Sequence, residues 1–206
     1  MKASRGFFLS CKKFRVIKPE IRVLGVDDGP FVPHSRGFAT IVGVVFRGGY
    51  WLDGVIHTRI EVDGLDATHK IASMIIDSPH YKQLRVIMLD GVTFAGFNVV
   101  NIKELNSETK LPVIAVTRKK PDFPNIRKAL ENLPNSKLRW AAIKGTGNLF
   151  MVNTRSKRAK VYVQACGVFE EDAQKIVKLT STRSDIPEPL RVAHLIASGI
   201  NGTHNV

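Results

Sequence analysis

Leu24-Gly25-Val26-Asp27 near the start of the chain, and Val86-Ile87-Met88-Leu89-Asp90-Gly91 further on, decide how this sequence folds. Each is a short, β-prone apolar run that ends in a carboxylate and a glycine-containing turn. Runs of this length closed by glycine read as buried strands emptying into loops. If the two strands lie side by side and parallel, Asp27 and Asp90 emerge at the same edge of the sheet, where open α/β sheets bind ligands. Two anionic oxygen ligands there suit a hard divalent cation, Mg²⁺ or Mn²⁺. Each aspartate taken alone also fits a simpler role, capping the turn after its strand.

Outward from these runs the elements fall in a definite order. Residues 1–20 read as a basic arm ending at Pro19, and residues 21–26 as the first strand, followed by the turn Asp28-Gly29-Pro30. Residues 37–46 form a second apolar, β-branched run, and Arg47-Gly48-Gly49 makes a hairpin turn into a third strand over 50–61. The period then changes: Asp66 or Thr68 caps a helix carrying Ile71, Met74 and Ile75, which stops before Pro79. A strand over 85–89, a helix within 98–105, a strand over 112–117 and a helix over 125–132 follow, the last opened by Pro121 and Pro124. Residues 138–165 read as a β-rich insertion. Glu170-Glu171-Asp172 starts an amphipathic helix with acid in its first turn, as the helix dipole prefers. Pro187-Glu188-Pro189 opens the final helix, which ends at Gly199.

This order predicts an α/β fold: a mixed sheet of an antiparallel three-strand meander followed by parallel strands, flanked by helices. A right-handed crossover through the first helix lays the Asp90 strand parallel to the first one. The length, 206 residues, suits one domain of ordinary size. A composition 44% hydrophobic and 24% charged is enough to bury a real core. No apolar run approaches the roughly 20 residues needed to cross a bilayer. The piece Gly6-Phe7-Phe8-Leu9 is too short for a secretory core and has no small-residue cleavage site after it. Cys11 and Cys166 match no metal-site spacing, so a reducing cytoplasm is the expected location.

Lys and Arg number 31 against 18 Asp and Glu, a net charge of +13. Such an excess favours polyanions through counterion release, without specifying sequence. The cations cluster at loops and termini: Lys12, Lys13, Arg15, Lys18 and Arg22 before the first strand, Arg118-Lys119-Lys120 after another, and Arg155, Lys157, Arg158 and Lys160 in one turn. DNA or RNA held by this basic surface is therefore the expected partner.

The order of elements, with Val26-Asp27-Asp28-Gly29-Pro30-Phe31 and Asp63-Gly64-Leu65-Asp66-Ala67-Thr68, resembles the ribonuclease H-like fold of the endonuclease V group, and more closely an archaeal family of endonuclease V-like proteins. The likeness runs from about Pro19 to Gly199. Gly25-Val26-Asp27 resembles the first-strand aspartate motif of endonuclease V, and Leu89-Asp90-Gly91 its second. Pro187-Glu188-Pro189-Leu190-Arg191-Val192-Ala193-His194-Leu195 resembles the C-terminal helix whose Asp or His closes the acidic site, which makes His194 the third site residue. Endonuclease V has a glutamate at the start of the helix after its third strand; this chain offers Asp63 and Asp66, with Asp66 the better match. Arg118 stands where that group has a lysine, still able to hold a phosphate bidentately. The Pro-Tyr-Ile-Pro type wedge has no counterpart near residues 61–66.

The resemblance implies a Mg²⁺- or Mn²⁺-dependent phosphodiesterase acting on DNA or RNA. Asp27, Asp90 and Asp66 would hold the cation, His194 would bind it or shuttle a proton, and Arg118 would neutralise a phosphate oxygen. The rival reading is a nucleic-acid-binding protein on the same fold without efficient chemistry, which the absent glutamate and wedge favour. Phe94 and Phe97 stack on bases or sit in the core, and Gly145-Thr146-Gly147 is a plain turn rather than a phosphate loop.

Overall fold

The alternation legible in the first strand becomes a core with two faces. The computed structural model describes residues 13–33, 35–155 and 159–200; Lys12 with the arm before it, and Lys157 and Arg158 of the basic turn, lie outside the described residues. Strands β1 (Arg22–Asp28), β2 (Phe38–Arg47) and β3 (Trp51–Glu61) form the meander, with Asp27 opposite Val42 and Ile41 opposite Thr58. Helix α1 (Ala67–Ile76) carries the chain back so that β4 (Val86–Asp90) runs parallel to β1, Val23 beside Val86 and Val26 beside Leu89. A small ribbon, β5 (Thr93–Phe94) and β6 (Asn98–Val99), leads into α2 (Ile102–Thr109) and then β7 (Val113–Thr117), parallel to β4. Helices α3 (Phe123–Leu130) and α4 (Ser136–Lys144) precede β8 (Phe150–Asn153) and β9 (Lys160–Cys166), and α5 (Glu170–Thr180) and α6 (Glu188–Ile200) follow. The seven-stranded sheet has the order β3-β2-β1-β4-β7-β9-β8, with β9 antiparallel to both its neighbours. The expected mixed sheet flanked by helices is the fold observed.

Side chains alternate between the faces of this sheet. Leu24, Val26, Ile87 and Leu89 pack with Ile71 and Ile75 of α1 and Leu105 of α2. Val23, Val86 and Met88 pack on the other face with Ile176 and Val177 of α5 and Leu190 of α6. Burying each such side chain contributes about 1.5–3 kcal/mol relative to exposure. The same alternation puts Asp27 and Asp90 on the α5–α6 face and Asp28 on the α1–α2 face.

Two segments depart from the sequence reading. The helix expected within 98–105 begins only after Asn101, whose side chain accepts from the backbone N–H groups of Lys103 and Glu104 at 3.1 and 3.3 Å. Asn98 is instead fully buried in the ribbon, with its amide bonded to Glu61 O, Asp66 and the Ala67 N–H. The stretch read as β-rich from residue 138 is helical up to Lys144, and its strands start at Phe150. Arg139 explains this: it is 2% exposed, a charged residue acting as the centre of a packed helix. Its guanidinium donates to four carbonyls, those of Pro134 (3.0 Å), Gly64 (2.8 Å), Asp63 (2.6 Å) and Phe97.

Candidate functional site

Parallel pairing of β1 with β4 puts Asp27 and Asp90 one residue past the Val26–Leu89 pair, side by side at the carboxyl edge of the sheet. Helix α6 crosses the same face, and His194 Nδ1 lies 2.8 Å from Asp27 Oδ2. Gly25 makes that approach possible: a Cβ there would overlap the backbone carbonyl of Pro189, and would lie 2.6 Å from its Cβ. With glycine in β1, the first turn of α6 sits directly on the strand, and His194 reaches the end of it. Gly91, at φ +78°, then turns the chain sharply away after Asp90, a conformation glycine adopts without steric cost.

The electrostatics of this edge are those of crowded carboxylates. Asp27 is 5% exposed and accepts the Asp28 N–H at 2.9 Å. Burial first, and then the neighbouring charge of Asp90, push its pKa up to about 7, against the opposing pull of the Asp28 N–H and His194. Burial likewise raises Asp90, opposed by Arg118 and His194 and reinforced by Asp28. Asp28 is raised by burial too, although its Oδ2 accepts the Ala95 N–H at 2.6 Å on the other face. Hard oxygen donors that raise one another's pKa fit a divalent cation, which relieves their repulsion.

Asp66 stands apart from this group. Its Oδ1 accepts from Asn98 Nδ2 at 2.6 Å and from the Glu61 N–H at 3.2 Å, so it closes the loop before α1 without a side-chain cap on the helix itself. Among the described residues no hydrogen bond or ion pair joins it to Asp27, Asp90 or His194. The reason is geometric: α1 packs on the face of Leu24 and Val26, away from the face shared by Asp27 and α6. Asp63, at φ +52°, accepts the Phe97 N–H at 2.8 Å. Phe94 is fully buried, and Phe97 packs against the cluster of Leu130 and Ile143.

Two features were not anticipated from the sequence. A cavity of about 240 Å³ opens beside Gly91, bordered by Thr93, Thr117, Lys119, Tyr162 and Gln164. The Thr117 hydroxyl at its edge is the buried side-chain polar atom without a hydrogen-bond partner among the described residues. On the exposed surface of α1 and α2, His69 Nδ1 lies 2.8 Å from Glu108 and Nε2 3.6 Å from Glu104. Among the described residues this trio alone has ligand atoms all within 4.8 Å of one another. Glu104 and Glu108 share one helix face, a signal the sequence does carry, but the partner from α1 is visible only in three dimensions. The contacts are solvent-exposed, ion pairs only when His69 is protonated, and each is then worth about 0–1 kcal/mol.

A sheet of this order, with two adjacent parallel strands ending at one edge, has the ribonuclease H-like fold. The chain belongs to the Endonuclease dU family, whose model matches residues 19–201. A UPF0215 protein of Methanothermobacter thermautotrophicus is 51% identical over 195 residues, 94% of each chain. The crystal structure of a protein of unknown function from Archaeoglobus fulgidus superposes with a TM-score of 0.78 at 38% identity, over 87% of this chain and 98% of that one. Endonuclease V of Ciona intestinalis, in complex with a 24mer DNA containing an inosine followed by a ribo-adenosine, shares the fold with a TM-score of 0.56 at 17% identity, over 84% and 82%. Among the described residues no helix is long and apolar enough to cross a membrane.

Proposed function

We propose that this protein is a divalent-metal-dependent phosphodiesterase that cuts nucleic acid, with Asp27 and Asp90 as metal ligands. The observation that carries the reading is the pair of carboxylates on adjacent strand ends, Asp27 buried and Asp90 half-buried, on the face where His194 meets Asp27 at 2.8 Å. A bound Mg²⁺ or Mn²⁺ would supply polarisation of the phosphoryl oxygen and a water of lowered pKa. Asp27 and Asp90 hold the charge in place, and Asp28 fixes the Ala95 turn behind them. His194, half exposed and hydrogen-bonded to Asp27, is positioned to bind the metal or to carry a proton between the site and solvent. Arg118, close enough to stabilise ionised Asp90, neutralises a phosphate oxygen as charge builds up. The cavity beside Gly91 receives a base turned out of its stack next to the scissile bond.

The family description carries the abbreviation dU, and the Ciona endonuclease V complex contains inosine DNA; both modifications belong in the test. Labelled DNA and RNA, plain or carrying one deoxyuridine or inosine, would be incubated with Mg²⁺ or Mn²⁺ beside the Asp90→Ala protein. Metal-dependent cleavage lost in that variant establishes the nuclease, and the modified substrates define its preference. A second reading, a nucleic-acid-binding protein without turnover, draws on Asp66 being engaged with Asn98 and Glu61 instead of completing a third ligand. Binding without cleavage on every substrate would select it.

A further inference from the structure

Strands β1 and β4 share a pattern at their amino ends as well. Arg22-Val23-Leu24-Gly25-Val26-Asp27 and Arg85-Val86-Ile87-Met88-Leu89-Asp90 both open with arginine and close with aspartate. Parallel register sets the arginines together, and the Arg85 N–H donates to Arg22 O at 3.0 Å. They stand five residues from the aspartates, roughly 16 Å along the strand, at the opposite edge of the sheet.

Residues 13–21 fold over that edge. The Phe14 N–H donates to the buried Asp172 at 2.9 Å, and the Ile21 N–H to Lys18 O at 3.0 Å. Between this segment and the strand ends lies a cavity of about 390 Å³, bordered by Phe14, Arg15, Lys18, Arg22, Gln83 and Arg85. Its volume falls within the range of about 300–1,000 Å³ typical of small-ligand pockets. Among the described residues Lys13 adds a fifth cation, and Glu20 is the one carboxylate in the lining. Even Glu20 leans toward Arg47, 4.0 Å away, and Asp53 divides itself between Arg47 at 2.9 Å and Arg22 at 3.5 Å. Among the described residues no carboxylate pairs with Arg15, Lys18 or Arg85. Arg85 Nη1 is anchored on Lys82 O and Leu84 O at 3.0 and 2.9 Å, which orients the guanidinium and leaves its remaining N–H groups for a ligand.

We infer that this cavity is an anion site for a phosphate-bearing ligand, separate from the acidic centre. The phosphate belongs either to a free nucleotide or to a nucleic-acid strand, one chemistry from two sources. Arginine forks match phosphate oxygens, the Phe14 ring offers an apolar wall for a base or sugar, and the Gln83 amide both donates and accepts. The inference does not rest on the nuclease reading, because it uses none of the residues at the carboxyl edge.

Three proteins decide it, with EDTA present to silence the acidic centre: wild type, Arg15→Ala/Lys18→Ala, and Lys128→Ala/Lys137→Ala, which removes equal charge elsewhere. All four residues are exposed, and thermal midpoints check that folding is unchanged. Calorimetry would use ATP and inorganic pyrophosphate; fluorescence anisotropy would use a short labelled single-stranded DNA across a salt series. A nucleotide site gives saturable one-to-one binding of the small anions that weakens at least about tenfold in the first variant and little in the second. A strand-backbone site leaves the small anions weak but lowers the salt slope for DNA by about 1.4 in the first variant alone, two phosphate contacts at about 0.7 each. Equal losses in both variants for every ligand overturn the site and leave only diffuse charge.

Discussion

Two sets of aspartates meet at the carboxyl edge of this sheet, and they differ in what they face. Asp63 and Asp66 stand on the side of α1 and find donors: the Phe97 N–H and the nearby charge of Arg139 for one, Asn98 Nδ2 and the Glu61 N–H for the other. Asp27 and Asp90 stand on the side of α6 and find each other's charge, with His194 and Arg118 as the nearby cationic or protonatable groups. Carboxylates provided with amide donors hold a loop in place and need nothing further. A buried and a half-buried carboxylate set against one another are a reason to bind a cation. A count of acidic residues near a sheet edge therefore says little; the donors each one faces say far more.

The comparison can be broken most forcefully through Arg139, which supports the structural set. Arg139→Met leaves four backbone carbonyls in and around the 63–64 loop without their donor, and should cost about 3–5 kcal/mol in urea unfolding. An effect below about 1 kcal/mol would mean that water replaces the guanidinium and that the loop does not depend on it.

The next effect separates the sets by pH. Asp27 titrates at about 7 in the folded protein and near the ordinary carboxylate value when unfolded. Between those values the folded chain holds a proton that the unfolded chain has lost, so metal-free stability should fall as pH rises from about 4 to about 7, by a few kcal/mol. This is the reverse of a salt-bridged carboxylate. Mn²⁺ should flatten the slope by mass action, and Asp27→Asn should reduce both the Mn²⁺ effect and the slope, of which Asp28 and Asp90 keep their own share. Thermal midpoints across that range, with EDTA or Mn²⁺, are the measurement; a rising metal-free curve would contradict the assignment.

Asp90→Ala should lower metal-dependent cleavage at least about 100-fold while the protein stays folded, as expected when a group acting on transition-state charge is removed. The smallest effect is expected at Asp66→Asn, whose side-chain oxygen can still accept from Asn98 and Glu61. Stability should change by less than about 1 kcal/mol and cleavage by less than about threefold. Loss of cleavage there would move Asp66 into the metal set and erase the contrast.

Much of this was legible in the chain. The strands bearing Asp27 and Asp90 declare themselves because both of their faces are buried, which makes them continuous apolar runs with a carboxylate and glycine at the end. The meander and the last helix were readable from turn glycines and from Pro187-Glu188-Pro189. Helix α4 was not, because its most buried residue is Arg139, and no apolar periodicity marks a buried cation. Asn98 was read as the start of a helix for the same kind of reason: a buried amide whose partners come from residues 61, 66 and 67 has no local signature. The orientation of Asp66 was equally hidden, since an acid before a helix looks alike whether it faces a neighbouring carboxylate or an asparagine. The basic cavity needed two strand starts and a folded-over segment together, although the five-residue interval from Arg to Asp in both strands was in plain view.

The seating of α6 against Gly25 also sets an order of events during synthesis. Asp27 and His194 are separated by 167 positions in the chain, so their contact can form only after every strand of the sheet has been synthesised. While the ribosome still holds residues near 194, strands β1 to β9 can already be paired, with the aspartates at their edge and no imidazole above them. Any chemistry that requires His194 is thus withheld until α6 has been synthesised and settles onto Gly25.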